Sequence, residues 1–247
     1  MTVIMNDCDL AADLAKTAGR ILLDLRGSGT LDGKALGEAG DQTANAYLIQ
    51  ALSRHRPEDG MLSEESKDTD ERLSKSRVWI IDPVDGTREY GEFRSDWAVH
   101  VALAIDGVAA IGAVALPGLA EDIVLRSDKI DELPGHDGPP RLVVSRTRPA
   151  AEALFVAERL GGELLSMGSA GAKAMAVVRG EAEIYLHSGG QFEWDSCAPV
   201  AVASAYGLHC SRIDGSPLIY NQKDIYLPDL LICRKEWTEA VFGALKK

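Results

Sequence analysis

The segment Trp79–Tyr90, WIIDPVDGTREY, carries the residue types whose chemistry is easiest to recognise. Asp82 and Asp85 follow a short apolar run, and buried acids are costly unless something binds them. Both carboxylates can point to one side with the Val84 carbonyl between them, and Thr87 is well placed to begin a helix. Such oxygens suit Mg²⁺, while a helix N-terminus binds phosphate through free amide groups. The segment therefore predicts a site for a divalent cation together with a phosphate.

Other interpretations of this segment stay open from the residue types alone. Asp-Pro and Asp-Gly are both turn dipeptides, so DPVDGT can be a plain turn. Phosphatases that form an aspartyl-phosphate use DxDGT after a strand, but here two residues separate the acids instead of one. Paired carboxylates also serve glycosidases, although no acid stands out as needing a raised pKa. The choice depends on whether other acids join the pair.

Acids in three other segments can join it. Asp41 lies in GDQT, Glu64 and Glu65 in LSEES, and Asp195 in EWDSCAP. Singly, each has a simpler explanation, which is helix capping for the two aspartates and a solvated surface for the two glutamates. Together with DPVDGT, those simpler explanations become much less convincing.

Composition narrows the class of protein. The chain has 247 residues, of which 46% are hydrophobic and 26% charged, as in a globular protein with a sizeable core. The net charge of −12 makes an extended nucleic-acid surface a poor interpretation. If the substrate is an anion, cations must be supplied locally.

The cysteines and the apolar segments indicate the compartment. The four cysteines, scattered without a CxxC pair, are expected to be reduced thiols: Cys8, Cys197, Cys210 and Cys233. The first residues show no signal-peptide pattern, and the most apolar region, Ala98–Ala120, is too interrupted to span a membrane. We therefore expect a cytoplasmic protein.

Periodicity predicts the elements that must position these acids. Helical spacing covers Asp7–Arg26, and a second helix is expected from about Asp41 to His55. Residues 27–40, with five glycines, are predicted to be a flexible loop. Asp106-Gly107 between apolar runs predicts a β-hairpin. After a Pro/Gly-rich boundary at Leu133–Pro140, helices and strands alternate, which indicates an open α/β sheet.

The chain resembles the inositol monophosphatase superfamily of Mg²⁺-dependent, Li⁺-sensitive phosphatases. The resemblance is carried by five segments that occur in the order and at the separations typical of that superfamily: GDQTAN, LSEES, WIIDPVDGT, GSAGAK and EWDSCAP. The resemblance spans nearly the whole chain. It implies a mixed α/β (α+β) fold, a layered αβαβα sandwich. An N-terminal α+β half, residues 1–138, would carry most metal ligands, and a C-terminal open α/β half, residues 139–247, would carry Asp195 and the substrate contacts.

Carried over position by position, the resemblance implies metal-assisted hydrolysis of a phosphate monoester. The implied metal ligands for two or three Mg²⁺ ions are Glu65, Asp82, the Val84 carbonyl, Asp85 and Asp195. Catalytic roles are implied for Asp41, Glu65 and Thr87, of which Thr87 would orient a metal-activated water and Asp41 a further ion or water. Gly86 and Thr87 match positions that contact phosphate.

Within the superfamily the chain is most similar to the CysQ-type 3′(2′),5′-bisphosphate nucleotidases, which remove the 3′-phosphate of 3′-phosphoadenosine 5′-phosphate (PAP), a by-product of sulfate activation. RLVVSR, Lys173 in GSAGAK and the spacing from His187 to Asp195 carry this similarity. It implies that Lys173 and Arg146 take the 5′-phosphate. The other implied substrate contacts are Gly86, Thr87, Ser145, Ser169, His187 and Asp195.

The substrate and the assembly stay open. His187 stands where these nucleotidases usually carry arginine, so PAPS, inositol phosphate, fructose 1,6-bisphosphate and histidinol phosphate remain alternatives to PAP. A non-catalytic, metal-binding regulatory protein is the alternative of another class, and the intact set of acids argues against it. The expected partner is a small phosphate ester, with no nucleic-acid polymer and no membrane. A homodimer is a candidate assembly because relatives are often dimers.

Overall fold

A computed structural model describes residues 5–246 of the chain. The α-helices in this range are α1 (Asp7–Gly27), α2 (Gly33–His55), α3 (Thr87–Gly91), α4 (Ala151–Leu160), α5 (Ala170–Val178), α6 (Glu193–Ala205) and α7 (Thr238–Leu245). The strands are β1 (Gly60–Ser63), β2 (Arg77–Asp85), β3 (Ala98–Ile105), β4 (Val108–Ala115), β5 (Val124–Arg126), β6 (Arg141–Ser145), β7 (Glu163–Met167), β8 (Ile184–Phe192), β9 (His209–Ser211) and β10 (Tyr226–Cys233). Among these described helices, none has the combination of length and apolarity that crossing a bilayer requires.

The strands form two mixed sheets. The first has the order β1-β2-β3-β4-β5, in which only the β1–β2 pairing is parallel. The second has the order β7-β6-β8-β10-β9, in which β6 runs parallel to both neighbours and β10 antiparallel to both of its own. The hairpin predicted at Asp106-Gly107 is confirmed, since it joins β3 to β4. The predicted boundary between residues 138 and 139 lies in the connection between the sheets and stays a prediction.

Helices and sheets alternate in five layers, which confirms the expected αβαβα sandwich. Helices α1 and α2 pack on one face of the first sheet, and α6 packs on its other face. Helix α5 packs beside α6 and against the second sheet, whose far side is covered by α4 and α7. The central layer of α5 and α6 therefore separates the two sheets and touches both.

The period-two pattern of the central strands directs side chains to opposite layers. Trp79 and Ile81 of β2 belong to the core under α1 and α2, whereas Val78 and Ile80 belong to the core around α5 and α6. Helix α6 lies so close to the first sheet that a Cβ on Gly112 would be 2.5 Å from the Ala198 carbonyl oxygen. This close packing brings the N-terminal turn of α6 near the end of β2.

The flexible loop predicted for residues 27–40 is wrong in its second half, because α2 begins at Gly33. Glycines there permit close helix packing. A Cβ on Gly37 would lie 2.8 Å from Thr87 Cγ2, and one on Gly40 would lie 2.6 Å from the Tyr90 ring. Packing against α3 therefore outweighs the poor helix propensity of these glycines. Asp41 consequently lies inside α2 and does not begin it.

Candidate active site

Asp82 and Asp85 lie at the end of β2, where the strand pairing is irregular. Asp82 is opposite His100 and Asp85 is opposite Ala98, so β2 contains one more residue than β3 across this interval. In a regular strand, residues three apart point to opposite faces. The extra residue, a β-bulge, turns both carboxylates to the same side. Both are nearly inaccessible to solvent, at 1% for Asp82 and 6% for Asp85.

The Asp85 carboxylate is held at the start of α5. Its Oδ2 accepts hydrogen bonds from Ser169 Oγ and the Gly171 N–H, both at 2.5 Å, and its Oδ1 accepts one from the Ala170 N–H at 3.0 Å. Burial opposes ionisation, but the neighbouring His100 and the Ser169 hydroxyl hold the pKa of Asp85 at about 2. This carboxylate is therefore charged and tightly oriented at neutral pH.

Asp195 brings a third carboxylate from the other half of the chain. It occupies the first turn of α6, and its Oδ2 accepts a hydrogen bond from the Phe192 N–H at 2.7 Å. One carboxylate oxygen from each of Asp82, Asp85 and Asp195 lies within 4.8 Å of the other two. The structure thus brings together acids that are separated by more than a hundred residues in sequence.

The electrostatics of this cluster fit a divalent cation. Burial raises the pKa of Asp82 well above its usual value, and the charges of Glu64, Asp85 and Asp195 raise it further. Burial and the Asp85 charge raise the pKa of Asp195 to about 7. Carboxylates that repel one another in a buried space are stabilised by a hard cation, which selects oxygen ligands. The residues present therefore suit Mg²⁺.

Glu64 lies near enough to this cluster for its charge to act on Asp82, while the assignment of Glu65 as a metal ligand stays a prediction. Burial of the Glu64 carboxyl group and the charges of Asp195 and Asp85 raise its pKa to about 7, although the residue keeps an exposed side. Glu65 is exposed, and its charge, followed by that of Glu64, helps to raise the pKa of Asp41. Residue types alone do not distinguish the two, because both glutamates lie in the turn that follows β1.

Thr87 and Asp41 form a second polar pair next to the cluster. The Thr87 hydroxyl lies 3.1 Å from the Val84 carbonyl oxygen and 3.4 Å from Asp41 Oδ1, so it can donate to either. Burial, followed by the charges of Glu65 and Glu64, raises the pKa of Asp41 to about 8. Gly86 precedes α3 with φ 90°, and a Cβ there would lie 3.2 Å from the Ser169 Cβ.

The two cationic side chains that are predicted to bind the 5′-phosphate, Lys173 and Arg146, bind other groups of the protein in this structure. Lys173 is 5% exposed, and its ammonium donates to the carbonyl oxygens of Gly168 at 3.2 Å and Ser169 at 2.5 Å. Arg146 pairs with Glu89 at 3.2 Å and also binds Asp96. Binding of substrate by either cation would require these contacts to open, and both assignments stay predictions.

The remaining predicted substrate contacts are distributed around the start of α5 and the ends of β6 and β8. The Ser145 hydroxyl accepts a hydrogen bond from the Arg148 N–H at 3.2 Å. His187 Nε2 lies 2.8 Å from the Gly189 carbonyl oxygen, and burial lowers the His187 pKa. The Ser169 hydroxyl is used to hold Asp85. Arg148 is exposed and has no ion-pair partner within residues 5–246.

Sequence reasoning missed two polar residues beside the site. Asn45 connects α2 to the segment that carries the glutamates, because its amide accepts from Ser63 Oγ at 2.7 Å and donates to Ser66 Oγ at 3.1 Å. His100 is fully buried, with Nε2 3.2 Å from Asp85 Oδ2. A histidine inside the apolar strand AVHVALAI was the available signal.

Comparison with known proteins gives relatives over nearly the full chain. A 3′-phosphoadenosine 5′-phosphate phosphatase of Mycobacterium leprae is 47% identical and covers 98% of this chain and 94% of its own. One of Mycobacterium tuberculosis is 49% identical over 92% of this chain and 89% of its own. The solved structure of CysQ from Bacteroides thetaiotaomicron superimposes with a TM-score of 0.79 at 23% identity, covering 92% of this chain and 96% of that one.

The model of the inositol monophosphatase family matches residues 7–247. The match includes the three clustered aspartates and both sheets. The relatives at nearly half identity cover the same extent. On these grounds the chain belongs to the inositol monophosphatase family.

Proposed function

We propose that this protein is a Mg²⁺-dependent phosphatase that removes the 3′-phosphate of 3′-phosphoadenosine 5′-phosphate, with a role linked to sulfate assimilation. The observation that carries the proposal is the meeting of Asp82, Asp85 and Asp195, one carboxylate oxygen from each within 4.8 Å of the others. The names of relatives at 47% and 49% identity support the choice of substrate.

The cation would be held by residues from both halves of the chain. Asp82, Asp85 and Glu64 would supply carboxylates from the first half, and Asp195 would supply one from the second. When bound, Mg²⁺ acidifies water and offsets the negative charge of the phosphate ester. The Val84 carbonyl already accepts from the Thr87 hydroxyl, and its second lone pair stays available as a predicted ligand.

Thr87 and Asp41 would orient the attacking water and receive its proton. While the Thr87 hydroxyl donates to the Val84 carbonyl at 3.1 Å, its oxygen can accept a hydrogen bond from water. In its ionised form Asp41, whose Oδ1 lies 3.4 Å from the Thr87 hydroxyl, would accept a proton through that hydroxyl. Gly86 and Thr87 would contact the phosphate oxygens, as their positions in the family motif predict.

The test is hydrolysis of a panel of esters by the purified protein, with Mg²⁺ or with EDTA. We expect phosphate release from PAP that requires Mg²⁺ and leaves adenosine 5′-phosphate as the product. The kcat/KM for PAP should exceed those for inositol 1-phosphate and fructose 1,6-bisphosphate. A higher kcat/KM for inositol 1-phosphate would assign the substrate to the inositol branch. Release that EDTA does not affect would reject metal-assisted hydrolysis.

The two adjacent glutamates provide a matched pair of variants. Glu64→Gln removes a charge that contributes to the Asp82, Asp85 and Asp195 cluster, whereas Glu65→Gln removes an exposed charge from the neighbouring position. We expect Glu64→Gln to lower kcat by about 10²-fold or more, the usual cost of losing one preorganised electrostatic group. Glu65→Gln should stay within about tenfold of the wild type. The opposite order in steady-state assays would restore Glu65 as the ligand.

A further inference from the structure

A buried histidine lies where the two halves of the acid cluster meet. His100 is on β3, directly opposite Asp82 in the strand pairing, and its side chain has no exposed surface. Its neighbours on the same face of the strand, Ala98 and Ala102, are small and belong to the core around α5 and α6. The imidazole therefore occupies space between the first sheet and the central helices.

Each ring nitrogen of His100 lies next to a different segment of the site. Nδ1 is 3.0 Å from the carbonyl oxygen of Trp194, the residue before Asp195 in α6. Because a carbonyl oxygen only accepts, Nδ1 carries the proton in this contact. Nε2 is 3.2 Å from Asp85 Oδ2. One ring thus connects the Asp85 carboxylate of the first half to the first turn of α6 in the second half.

His100 contacts Asp85 without a well-aligned hydrogen bond. Nε2 lies 3.2 Å from Asp85 Oδ2, but it has no hydrogen-bond partner of good geometry within the described part of the chain. Asp85 Oδ2 already accepts from Ser169 Oγ and from the Gly171 N–H, which take its favourable directions. His100 therefore limits the position of Asp85 from the side that the α5 contacts leave open.

Gly171 is the residue that makes room for this ring. A Cβ on Gly171 would lie 2.0 Å from His100 Nε2, far inside van der Waals contact. The same glycine donates its backbone N–H to Asp85. The position of the imidazole and the approach of α5 to Asp85 therefore depend on each other.

We propose that His100 is a positioning residue that couples the two halves of the metal site, with Nε2 packed against Asp85 and Nδ1 bonded to the Trp194 carbonyl at the start of α6. Groups behind metal ligands orient them, and their loss commonly weakens metal binding or activity about 10- to 100-fold. The inference rests on the proposed function, because it assumes that Asp85 and Asp195 bind Mg²⁺.

Two amide variants separate the two contacts. In His100→Asn the side-chain amide can occupy the place of Nδ1 and keep the bond to Trp194, but it does not reach Asp85. In His100→Gln the amide can occupy the place of Nε2 and keep the Asp85 contact, but the bond to Trp194 is lost. His209→Asn is the control, since His209 is partly buried on β9 and bonds to Ser211 in a different part of the second half.

Calorimetric titration of each metal-free variant with Mg²⁺ alone gives a readout independent of turnover. We expect both His100 variants to bind Mg²⁺ about tenfold more weakly than the wild type, and the control to bind within twofold. In assays with PAP, kcat should recover part of its loss as Mg²⁺ is raised, while KM for PAP changes little. A loss of kcat that Mg²⁺ partly restores, with an unchanged KM for PAP, indicates misplaced metal ligands. A general loss of stability does not produce this pattern.

A second variant tests the same geometry if the His100 variants fold poorly. Gly171→Ala keeps the histidine at position 100 and favours the helix by propensity, but its Cβ forces the imidazole to move. Weaker Mg²⁺ binding by this variant supports the proposal. If the wild type binds Mg²⁺ and all three site variants bind it equally well, the role of His100 is overturned and the proposed function is unaffected. Absence of Mg²⁺ binding by the wild type overturns the proposed function and this inference with it.

Discussion

Asp195→Asn is expected to lower kcat for PAP by at least about 10³-fold without unfolding the protein. Asp195 is the acid that the second half contributes to the cluster within 4.8 Å of Asp82 and Asp85. Asparagine has the same shape and can still accept the hydrogen bond from the Phe192 N–H. The change therefore removes the proposed charged ligand while it preserves the hydrogen bond at the first turn of α6.

The same substitution should not reduce the stability of the metal-free protein. Burial and the Asp85 charge raise the pKa of Asp195 to about 7, so its ionised form is unfavourable in the folded state above that pH. At pH 8 the neutral amide removes this cost, and we expect thermal unfolding in EDTA at an equal or higher temperature than in the wild type. Loss of activity together with retained stability indicates a functional residue.

Asp214→Asn is the matched control for the Asp195 variant. Asp214 is exposed, lies in the same half of the chain and accepts hydrogen bonds from the Ser216 N–H and hydroxyl. Loss of the Asp214 charge should leave kcat for PAP within about twofold of the wild-type value. If Asp195→Asn keeps its turnover within tenfold of the wild type when Mg²⁺ is supplied, the assignment of Asp195 as a ligand is refuted.

The metal-free protein is expected to lose stability as the pH rises from about 4 to about 8. Burial, followed by neighbouring charges, raises the pKa of Asp41 to about 8 and those of Glu64 and Asp195 to about 7. Unfolded carboxyl groups titrate near pH 4. Between these values the folded state binds more protons than the unfolded state, so the free energy of unfolding falls with pH.

Mg²⁺ should reverse this trend, because it binds ionised carboxylates. Its stabilising effect is expected to be small at pH 5 and to grow towards pH 8. At a Mg²⁺ concentration about 100 times its Kd, binding adds about 2.7 kcal/mol to the free energy of unfolding. Urea or thermal unfolding at pH 5, 6.5 and 8, with EDTA or with Mg²⁺, measures both effects.

Asp195→Asn serves again as the control in the pH series. Removal of one group with a raised pKa should flatten the fall in stability between pH 4 and 8 in EDTA. Asp85 does not contribute in this range, since its pKa of about 2 places its effect below pH 4. A metal-free protein that is more stable at pH 8 than at pH 5 would contradict the proposed repulsion among the acids.

Local sequence signals predicted much of the fold correctly and misjudged it where tertiary contacts compete with propensity. The Asp106-Gly107 hairpin depends on a turn of two residues, and it forms as predicted. The glycines of residues 33–40 indicated a loop, yet Gly37 and Gly40 let α2 approach Thr87 and Tyr90 closely. Glycine spacing alone does not distinguish flexibility from close packing.

The amino-acid sequence by itself determined which chemistry this protein can perform. Its carboxylates after an apolar run, in segments ordered as in the family, indicated Mg²⁺ and a phosphate ester. Only the tertiary structure decided which side chains meet. A bulge in β2 turns Asp82 and Asp85 to one side, and packing of α6 on the first sheet adds Asp195. The effect of Glu64 on the three aspartates and the place of His100 depend on orientation and long-range packing, which residue types do not specify.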